Sequence, residues 1–284
     1  MEPATTKNEK ILGAGQILLA ALLWSSAGLV IRGVSCDMFW LLVIRSGAAC
    51  LVLAPGLGAL RGRRFGLNAF LAALLYALFM VAFAVSTRVV GAAQAVGGQY
   101  TAPLFVYLAL AVQRKLRVRL SGVLPMALIA AGCAVALVGG GLTPLTLLPL
   151  ASGVLFPLYS AFLRRAGDVP AGAVMCVGNL LCVLISLPFT WGAALPQLSD
   201  AGLVALAGVL VNGFGYTVYA RGTRRVDALA GVMLCLAEPV LNPVWVWLFL
   251  GEAPGGTALA SLLLILAGGV LDAAFAALRT RRRA

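Results

Sequence analysis

Four residues that could do chemistry stand inside an apolar stretch near the end of the chain. Segment 236–252 reads LAEPVLNPVWVWLFLGE, with Glu238, Asn242, Pro239 and Pro243 among leucine, valine, tryptophan and phenylalanine. A carboxylate at membrane depth is costly unless it faces a wet cavity, finds a partner or takes up a proton. Each proline removes a backbone donor and frees a carbonyl one turn earlier. These residues predict a water-accessible site for a cation or a proton, against the alternative that Glu238 only ties together the ends of a broken helix.

A second group of candidates consists of aromatic and amide side chains near the middle of apolar stretches. A tyrosine at that depth needs a partner for its hydroxyl, which favours a cavity, although core packing is an alternative. With Glu238 and Asn242, the predicted substrate-binding set contains Trp24, Ser25, Tyr76, Met80, Gln99, Tyr100, Tyr159, Asn212 and Tyr216. The predicted set of helix breaks and gates is Pro103, Pro239 and Pro243.

Two further charges inside apolar stretches are expected to matter less. Arg45 lies near the outer end of its stretch and can reach the surface with its long side chain, and Asp272 lies near the inner end of the last stretch. If Arg45 does face inward, it could attract a carboxylate at the outer mouth of a cavity.

Composition determines the elements that must position these residues. The 284-residue chain is 62% hydrophobic and 11% charged, with a mean hydropathy of +1.03, which excludes an ordinary soluble domain. About 20 apolar residues cross a bilayer as a helix, so basic clusters, glycines and prolines divide the chain into ten predicted spans. They are 11–31, 38–58, 67–87, 91–112, 120–140, 145–163, 171–191, 201–220, 228–250 and 257–278. We predict an all-α integral membrane fold with ten transmembrane helices around a central cavity.

The distribution of basic residues predicts the orientation. If the amino terminus is cytoplasmic, all of the 21 Lys and Arg except Arg32, Arg45 and Arg88 fall in inside segments. The positive-inside rule then places both termini in the cytoplasm, which we expect at a bacterial inner (plasma) membrane. The net charge of +12 is explained by basic loops facing anionic lipid, so nucleic acid is not an expected partner. The first stretch is predicted to be an uncleaved helix rather than a signal peptide.

Missing residue types narrow the chemistry. The chain has no His, which excludes His-based zinc sites and proton relays, and it has no G-x-x-x-x-G-K-[ST] pattern for ATP hydrolysis. Its 6 cysteines are scattered, so no disulfide framework is expected. We expect no cofactor, no metal and no enzymatic activity.

An internal repeat divides the chain. A shift of 136 residues aligns STRVVGAAQAVGGQYTAP (86–103) with GTRRVDALAGVMLCLAEP (222–239), and a slightly smaller shift sets WSSAGLVIR (24–32) beside FPLYSAFLR (156–164). The predicted repeats, 1–143 and 144–284, hold five spans each, and an odd number forces them into opposite orientations. Inverted repeats are typical of secondary transporters, with the substrate site near the midplane where the repeats meet.

The paired halves, together with three sequence features, resemble the drug/metabolite transporter superfamily, in particular its EamA-type ten-helix members. The three features are AEPVLNPVWVWLFLGE (237–252), ILAGGVL (265–271) and Trp24 within the first span. Within that superfamily, LLWSSAGLVIRGVS (22–35) is similar to the first helix of the YddG group of aromatic amino-acid exporters. The first repeat departs from the family pattern because VQRKL (112–116) replaces the Gly-Glu end of its fourth helix.

The leading hypothesis is a secondary transporter that exports small metabolites, above all amino acids, by alternating access. The aromatic amino acids and the export direction come from the resemblance alone. A zwitterion or organic cation with an apolar body suits Glu238, and we expect a monomer or weak dimer surrounded by lipid. Alternatives are a passive facilitator and an exporter of organic cations, drugs or nucleosides. An intramembrane lipid-modifying enzyme is a remote alternative, because the acidic residues are scattered singly.

Overall fold

The computed structural model describes residues 6–90, 92–114, 118–139, 144–251 and 255–281. Helices dominate these ranges, and no strand occurs in them. The α-helices are α1 Lys7–Ser25, α2 Ala27–Gly33, α3 Met38–Leu53, α4 Leu67–Val89, α5 Ala92–Gln99, α6 Ala102–Val112, α7 Leu120–Gly139, α8 Leu147–Arg165, α9 Ala171–Ser186, α10 Leu198–Ala207, α11 Tyr216–Gly222, α12 Ala228–Leu234, α13 Ala237–Leu250 and α14 Gly256–Arg281. Short 3-10 helices cover Ala54–Leu60, Pro144–Thr146 and Leu187–Thr190, and a π-helix, Gly208–Gly215, joins α10 to α11.

Nine helical segments of the described chain are long and apolar enough to cross a membrane. They are Lys7–Ile31, Met38–Leu60, Leu67–Val89, Ala95–Val112, Leu120–Gly139, Leu147–Arg165, Ala171–Thr190, Leu198–Gly222 and Gly256–Ala276. The predicted span 228–250 differs because a break separates α12 from α13, which leaves a shorter apolar segment, Ala228–Pro239. The prediction of an all-α membrane fold is confirmed, and the chain is an integral membrane protein. Gly91, Gly140 and Glu252 lie outside the described residues.

We number the spans first to tenth in chain order. The first contains α1 and α2, the fourth α5 and α6, the eighth α10 and α11, and the ninth α12 and α13, while α3, α4, α7, α8, α9 and α14 belong to the second, third, fifth, sixth, seventh and tenth.

Local caps define several helix ends. At the start of α1, Thr6 accepts the N–H of Glu9 while the Glu9 carboxylate accepts the N–H of Thr6. Asp37 accepts the N–H of Phe39 at the start of α3. These side chains satisfy backbone donors that have no partner within the helix. At the other end of the ninth span, Gly251 has a φ of 71° and terminates α13 in the left-handed conformation that glycine adopts without steric cost.

Contacts between spans recur in the two halves of the chain. α4 packs on α8 as α1 packs on α11, and α4 contacts α9 as α3 contacts the π-helix of the eighth span. α5 contacts α8 as α1 contacts α13. The pairs α3 with α9, α6 with α12 and α7 with α14 each join a span to the one five places later. Most contacts between the two halves thus recur when each span is exchanged for its counterpart in the other half.

The outer and inner surfaces of the bundle differ as expected for a protein in lipid. Leu51, Val112 and Leu184 are among many large apolar side chains that are exposed on the outside, where hydrocarbon is a suitable solvent for them. Inside, small residues allow helices to approach closely. A Cβ at Gly132 of α7 would lie 2.8 Å from the carbonyl oxygen of Ser261 in α14, so this close contact requires glycine.

Candidate functional site

A cavity lies among the first, second, third, fourth, eighth and ninth spans. It is narrow in this conformation, because only about 20 Å³ is open to the centre of a water-sized sphere, so a ligand larger than water requires its walls to move apart. Charged, amide, aromatic and aliphatic side chains share its wall, namely Trp24, Ala27, Arg45, Phe79, Met80, Phe83, Gln99, Val211, Asn212, Tyr216 and Glu238. A wall that combines apolar surface with a small number of polar groups is typical of sites for small molecules.

The cavity lies nearer one end of the bundle than the other. Its lining residues on α4, Phe79 and Phe83, belong to the second half of that helix, whereas Arg45 belongs to the first half of the second span. Trp24 lies close to the end of α1. Since short connections make consecutive spans antiparallel, these positions coincide at the end of the bundle where α4 ends.

Two helix breaks lie next to the cavity wall, to which Gln99 and Glu238 contribute on either side of them. α5 gives way to α6 at residues 100–101, and α12 gives way to α13 at residues 235–236. Each break is followed by a proline, Pro103 or Pro239, in the first turn of the next helix. Proline is well tolerated there because a backbone N–H at that position has no acceptor within the helix.

The prediction of a second break at Pro243 is wrong. α13 continues as an α-helix from Ala237 to Leu250 and includes residue 243. A membrane helix can hold an interior proline where neighbouring groups satisfy the freed carbonyl. The ninth span therefore has one break, immediately before Glu238.

Glu238 lies in the first turn of α13 and lines the cavity with only 7% of its surface exposed. Its backbone N–H donates to the carbonyl oxygen of Cys235 at 3.0 Å, across the break. The Tyr100 hydroxyl lies beside the carboxyl group without a well-aligned hydrogen bond to it. No Lys or Arg of the described chain forms an ion pair with Glu238. The start of a helix favours a negative charge, so an incoming cation would meet a carboxyl group that has no cationic partner.

Arg45 lines the same cavity, and the expectation that it reaches the surface is wrong. Only 4% of its surface is exposed. The backbone of α3 packs directly on the π-helix, with the carbonyl oxygen of Arg45 against Gly208, and this contact turns the Arg45 face of the helix inward. The guanidinium Nη2 donates to Met80 Sδ at 3.7 Å, a weak acceptor, and Nε has no partner among the described residues.

A cluster of six rings fills the interior beside the cavity. We call Trp24, Tyr76, Phe156, Tyr159, Tyr216 and Tyr219 the aromatic cluster. The ring of Tyr216 lies 4.3 Å from that of Trp24 and 4.9 Å from that of Tyr76. Tyr76, Tyr159 and Tyr219 are completely buried, so the rings leave no opening between them. Trp24 and Tyr216 belong both to the cluster and to the cavity wall.

Two buried amides connect the aromatic cluster to the cavity. The Tyr76 hydroxyl donates to Asn179 Oδ1 at 3.3 Å, and Asn212 Nδ2 donates to the same oxygen at 3.4 Å. Asn212 Oδ1 has no partner among the described residues. Buried polar atoms are normally paired, so the free oxygen in the cavity wall is available to a ligand or water.

Six of the predicted substrate-binding residues line the cavity, namely Trp24, Met80, Gln99, Asn212, Tyr216 and Glu238. Three others lie behind its wall. Tyr76 and Tyr159 are inside the aromatic cluster, and Tyr100 is buried next to Glu238.

The last two predicted residues, Ser25 and Asn242, lie between the first and ninth spans and not in the cavity wall. The Ser25 hydroxyl accepts from Trp245 Nε1 at 2.8 Å and donates to the carbonyl oxygen of Leu22. The Asn242 amide lies against Gly28, where a Cβ would collide with it. Both polar groups therefore lie in the contact between helices. The first span packs on the face of α13 that carries Asn242 and Trp245 and separates this face from the cavity.

Sequence reasoning missed Arg45, Ala27, Phe79, Phe83 and Val211 in the cavity wall. A signal existed for the third span, because Tyr76, Phe79, Met80 and Phe83 have the spacing of one helix face. For Arg45 the signal was a charge in an apolar span. Within the described ranges, no group of three or more His, Cys, Asp or Glu residues could hold a metal ion.

Comparisons with known proteins agree with this architecture. Residues 144–271 match the EamA-like transporter family, so the second half of the chain carries an EamA-like domain, the part that supplies Asn212, Tyr216 and Glu238 to the cavity. No curated protein matches the chain. One crystal structure of a protein is similar over 98% of this chain and 99% of that chain, with a TM-score of 0.73 and 22% sequence identity. At that identity the likeness shows the fold alone.

Proposed function

We propose that the chain is an EamA-type secondary transporter of the drug/metabolite transporter superfamily that exports small metabolites, most of all amino acids including aromatic ones. The observation that carries this proposal is the cavity beside the two helix breaks, where the carboxyl group of Glu238, which has no cationic partner among the described residues, shares a wall with aromatic rings. A substrate with an ammonium group and an apolar body complements such a wall.

In this proposal, residues 1–143 and 144–284 are inverted repeats that rock around the cavity. The interchangeable contacts between spans and the matched breaks support it. So do two arginines at equivalent places: Arg88, at the end of the third span, donates to the carbonyl oxygen of Cys36 at 2.9 Å. Arg224, just after the eighth span, donates to that of Val169 at 2.8 Å.

Alternating access requires a barrier that opens as the cavity closes. The aromatic cluster is a suitable barrier, because its rings are fully packed on one side of the cavity. Beyond it, the hydroxyls of Ser160 and Tyr219 are 2.8 Å apart, and Arg164 donates to the carbonyl oxygens of Thr223 and Val226. Opening this end would have to separate the sixth span from the eighth.

We place the protein in a bacterial inner membrane with both termini in the cytoplasm, on the strength of its basic inside segments. An Arg283→Cys variant in intact cells should then resist a membrane-impermeant maleimide and react after the cells are opened. Labelling above the background of the unchanged chain in intact cells would reverse the orientation.

Glu238 is proposed to bind the ammonium group of the substrate in competition with protons. A proton neutralises the carboxyl group that the ammonium requires, so substrate binding should weaken as pH falls. Glu238→Gln retains size and hydrogen bonding but removes the charge. It should weaken a cationic or zwitterionic substrate by about tenfold or more and flatten the pH dependence.

The experiment is uptake of radiolabelled amino acids, organic cations and nucleosides into proteoliposomes, with and without a pH gradient, for the wild type, Glu238→Gln and Glu9→Gln. Glu9 is exposed and provides the same chemical change away from the cavity. Accumulation against a gradient identifies coupled transport, and equilibration without accumulation identifies a passive facilitator. Wild-type affinity and pH profile in Glu238→Gln would make Glu238 a structural clasp of the broken ninth span.

A further inference from the structure

Arg45 is a buried cation whose surroundings leave it without an anion. Among the described residues, no carboxylate pairs with it, Met80 Sδ is its one hydrogen-bond acceptor, and no aromatic ring lies under its guanidinium. A guanidinium removed from water costs several kcal/mol unless an anion or several acceptors replace the water. Since the side chain lines the cavity, the compensating group must come from inside it.

Other polar atoms that have no partner among the described residues belong to side chains of the cavity wall. Trp24 Nε1 is a buried donor, and Asn212 Oδ1 is a buried acceptor. Arg45 and Glu238 line the cavity without forming an ion pair with each other. The Tyr216 side chain lies within electrostatic range of both charges. The wall therefore offers one cationic group and one anionic group that are separate from each other.

We infer that Arg45 binds the carboxylate of the substrate while Glu238 binds its ammonium group, which makes the substrate class a zwitterion of the α-amino-acid type. This inference rests on the proposed transport function and deepens it: Arg45 becomes the residue that selects an amino acid, because Glu238 alone would serve an organic cation equally well. Arginine binds a carboxylate through two parallel N–H donors, a geometry that lysine does not reproduce. The remaining wall, with Trp24, Phe79 and Phe83, is left for the apolar side chain of the substrate.

The test compares four ligands that differ only in their charged groups: phenylalanine, phenylalanine amide, phenethylamine and phenylpropionate. Dissociation constants are measured for the purified full chain in detergent by calorimetry. The wild type should prefer phenylalanine to phenethylamine and to the amide by about tenfold or more, because only phenylalanine can occupy both charged groups. Equal affinity for phenylalanine and phenethylamine would overturn the inference without any variant.

Variants assign the preference to a residue. Arg45→Gln should weaken phenylalanine about tenfold or more and leave phenethylamine within about twofold, and Arg45→Lys should fall between the wild type and Arg45→Gln. Arg61→Gln, at an exposed arginine just after the second span, should change neither. An equal loss of both ligands in Arg45→Gln would show that Arg45 only shapes the cavity, and no loss of either would exclude it from the site.

The outcomes distinguish this inference from the proposed function. If phenethylamine binds as well as phenylalanine and both depend on Glu238 but not on Arg45, the transporter proposal stands for cations and the zwitterion inference fails. If the wild type binds none of the four ligands and accumulates no amino acid in proteoliposomes, the proposed function fails first.

Discussion

The fourth and ninth spans have the same backbone feature but different chemistry. Both are interrupted after a first short helix, at residues 100–101 and 235–236, and both continue with a proline in the first turn of the next helix. At the repeat spacing, however, Glu238 corresponds to Ala102, which is buried in the apolar core. The fold thus supplies the break in both halves, whereas only the second half places a carboxyl group there.

The second and seventh spans show the opposite difference. Arg45 is the eighth residue of α3, and the eighth residue of α9 is Gly178. A Cβ at Gly178 would lie 2.7 Å from the ring of Tyr76, so close packing leaves no room for a side chain at this place in α9. Each half therefore contributes one charge to the cavity wall, and the two charges do not lie at corresponding places.

The largest expected effect comes from adding a carboxyl group beside the break of the fourth span, at the position that corresponds to Glu238. Ala102→Glu should destabilise the protein by about 3–5 kcal/mol, because it buries an unpaired charge in packed apolar surroundings. Ala102→Gln introduces the same bulk without the charge, so the difference between the two thermal unfolding midpoints in detergent isolates the charge.

Equal stability of Ala102→Glu and Ala102→Gln would contradict the comparison, since it would mean that the fourth-span break is solvated like that of the ninth span. Glu238→Gln is expected to be as stable as the wild type or more stable, because the wild-type carboxyl group has no cationic partner among the described residues.

A smaller effect is expected from the two aromatic residues that the repeat aligns, Trp24 and Phe156. Their rings are 6.0 Å apart, but only Trp24 lines the cavity. Both alanine variants should lose stability, by about 3–5 kcal/mol for a large buried ring. Only Trp24→Ala should also weaken ligand binding by the folded protein, by about 1–3 kcal/mol or roughly 5- to 150-fold.

The measurement is calorimetric binding of phenylalanine alongside thermal unfolding, with both variants kept well below their unfolding temperatures. Equal weakening in Phe156→Ala would show that the site depends on the cluster as a whole and not on the ring in the cavity wall.

The fold could be predicted from the sequence because apolar stretches of membrane length, separated by basic clusters, have few alternatives. The location of Glu238 in the cavity wall could be predicted, because a carboxyl group in the middle of a span costs several kcal/mol unless it faces a cavity, a partner or a proton. The locations of Arg45 in the cavity wall and of Asn242 outside it could not be predicted, because the spacing of residues along one helix does not show which of its faces a neighbouring helix covers. The contact of α3 with Gly208 turns Arg45 inward, and the contact of α13 with Gly28 uses Asn242 in packing. The prediction of a break at Pro243 was wrong for a similar reason, because groups on the surrounding helices determine whether the carbonyl freed by a proline is tolerated within a continuous helix.

The smallest expected effect concerns the prolines that follow the two breaks. If the breaks are made by packing of the spans, Pro103→Ala and Pro239→Ala should each change the free energy of unfolding by less than about 1 kcal/mol, because a restored N–H in the first helical turn gains no partner within the helix. Substrate affinity should also stay within about twofold of the wild type. Pro243→Ala serves as the control, because residue 243 lies inside α13, where a restored N–H has a carbonyl one turn earlier to bond. A loss of transport in Pro239→Ala but not in Pro103→Ala would show that proline holds Glu238 in position and that the two breaks differ in backbone as well as in chemistry.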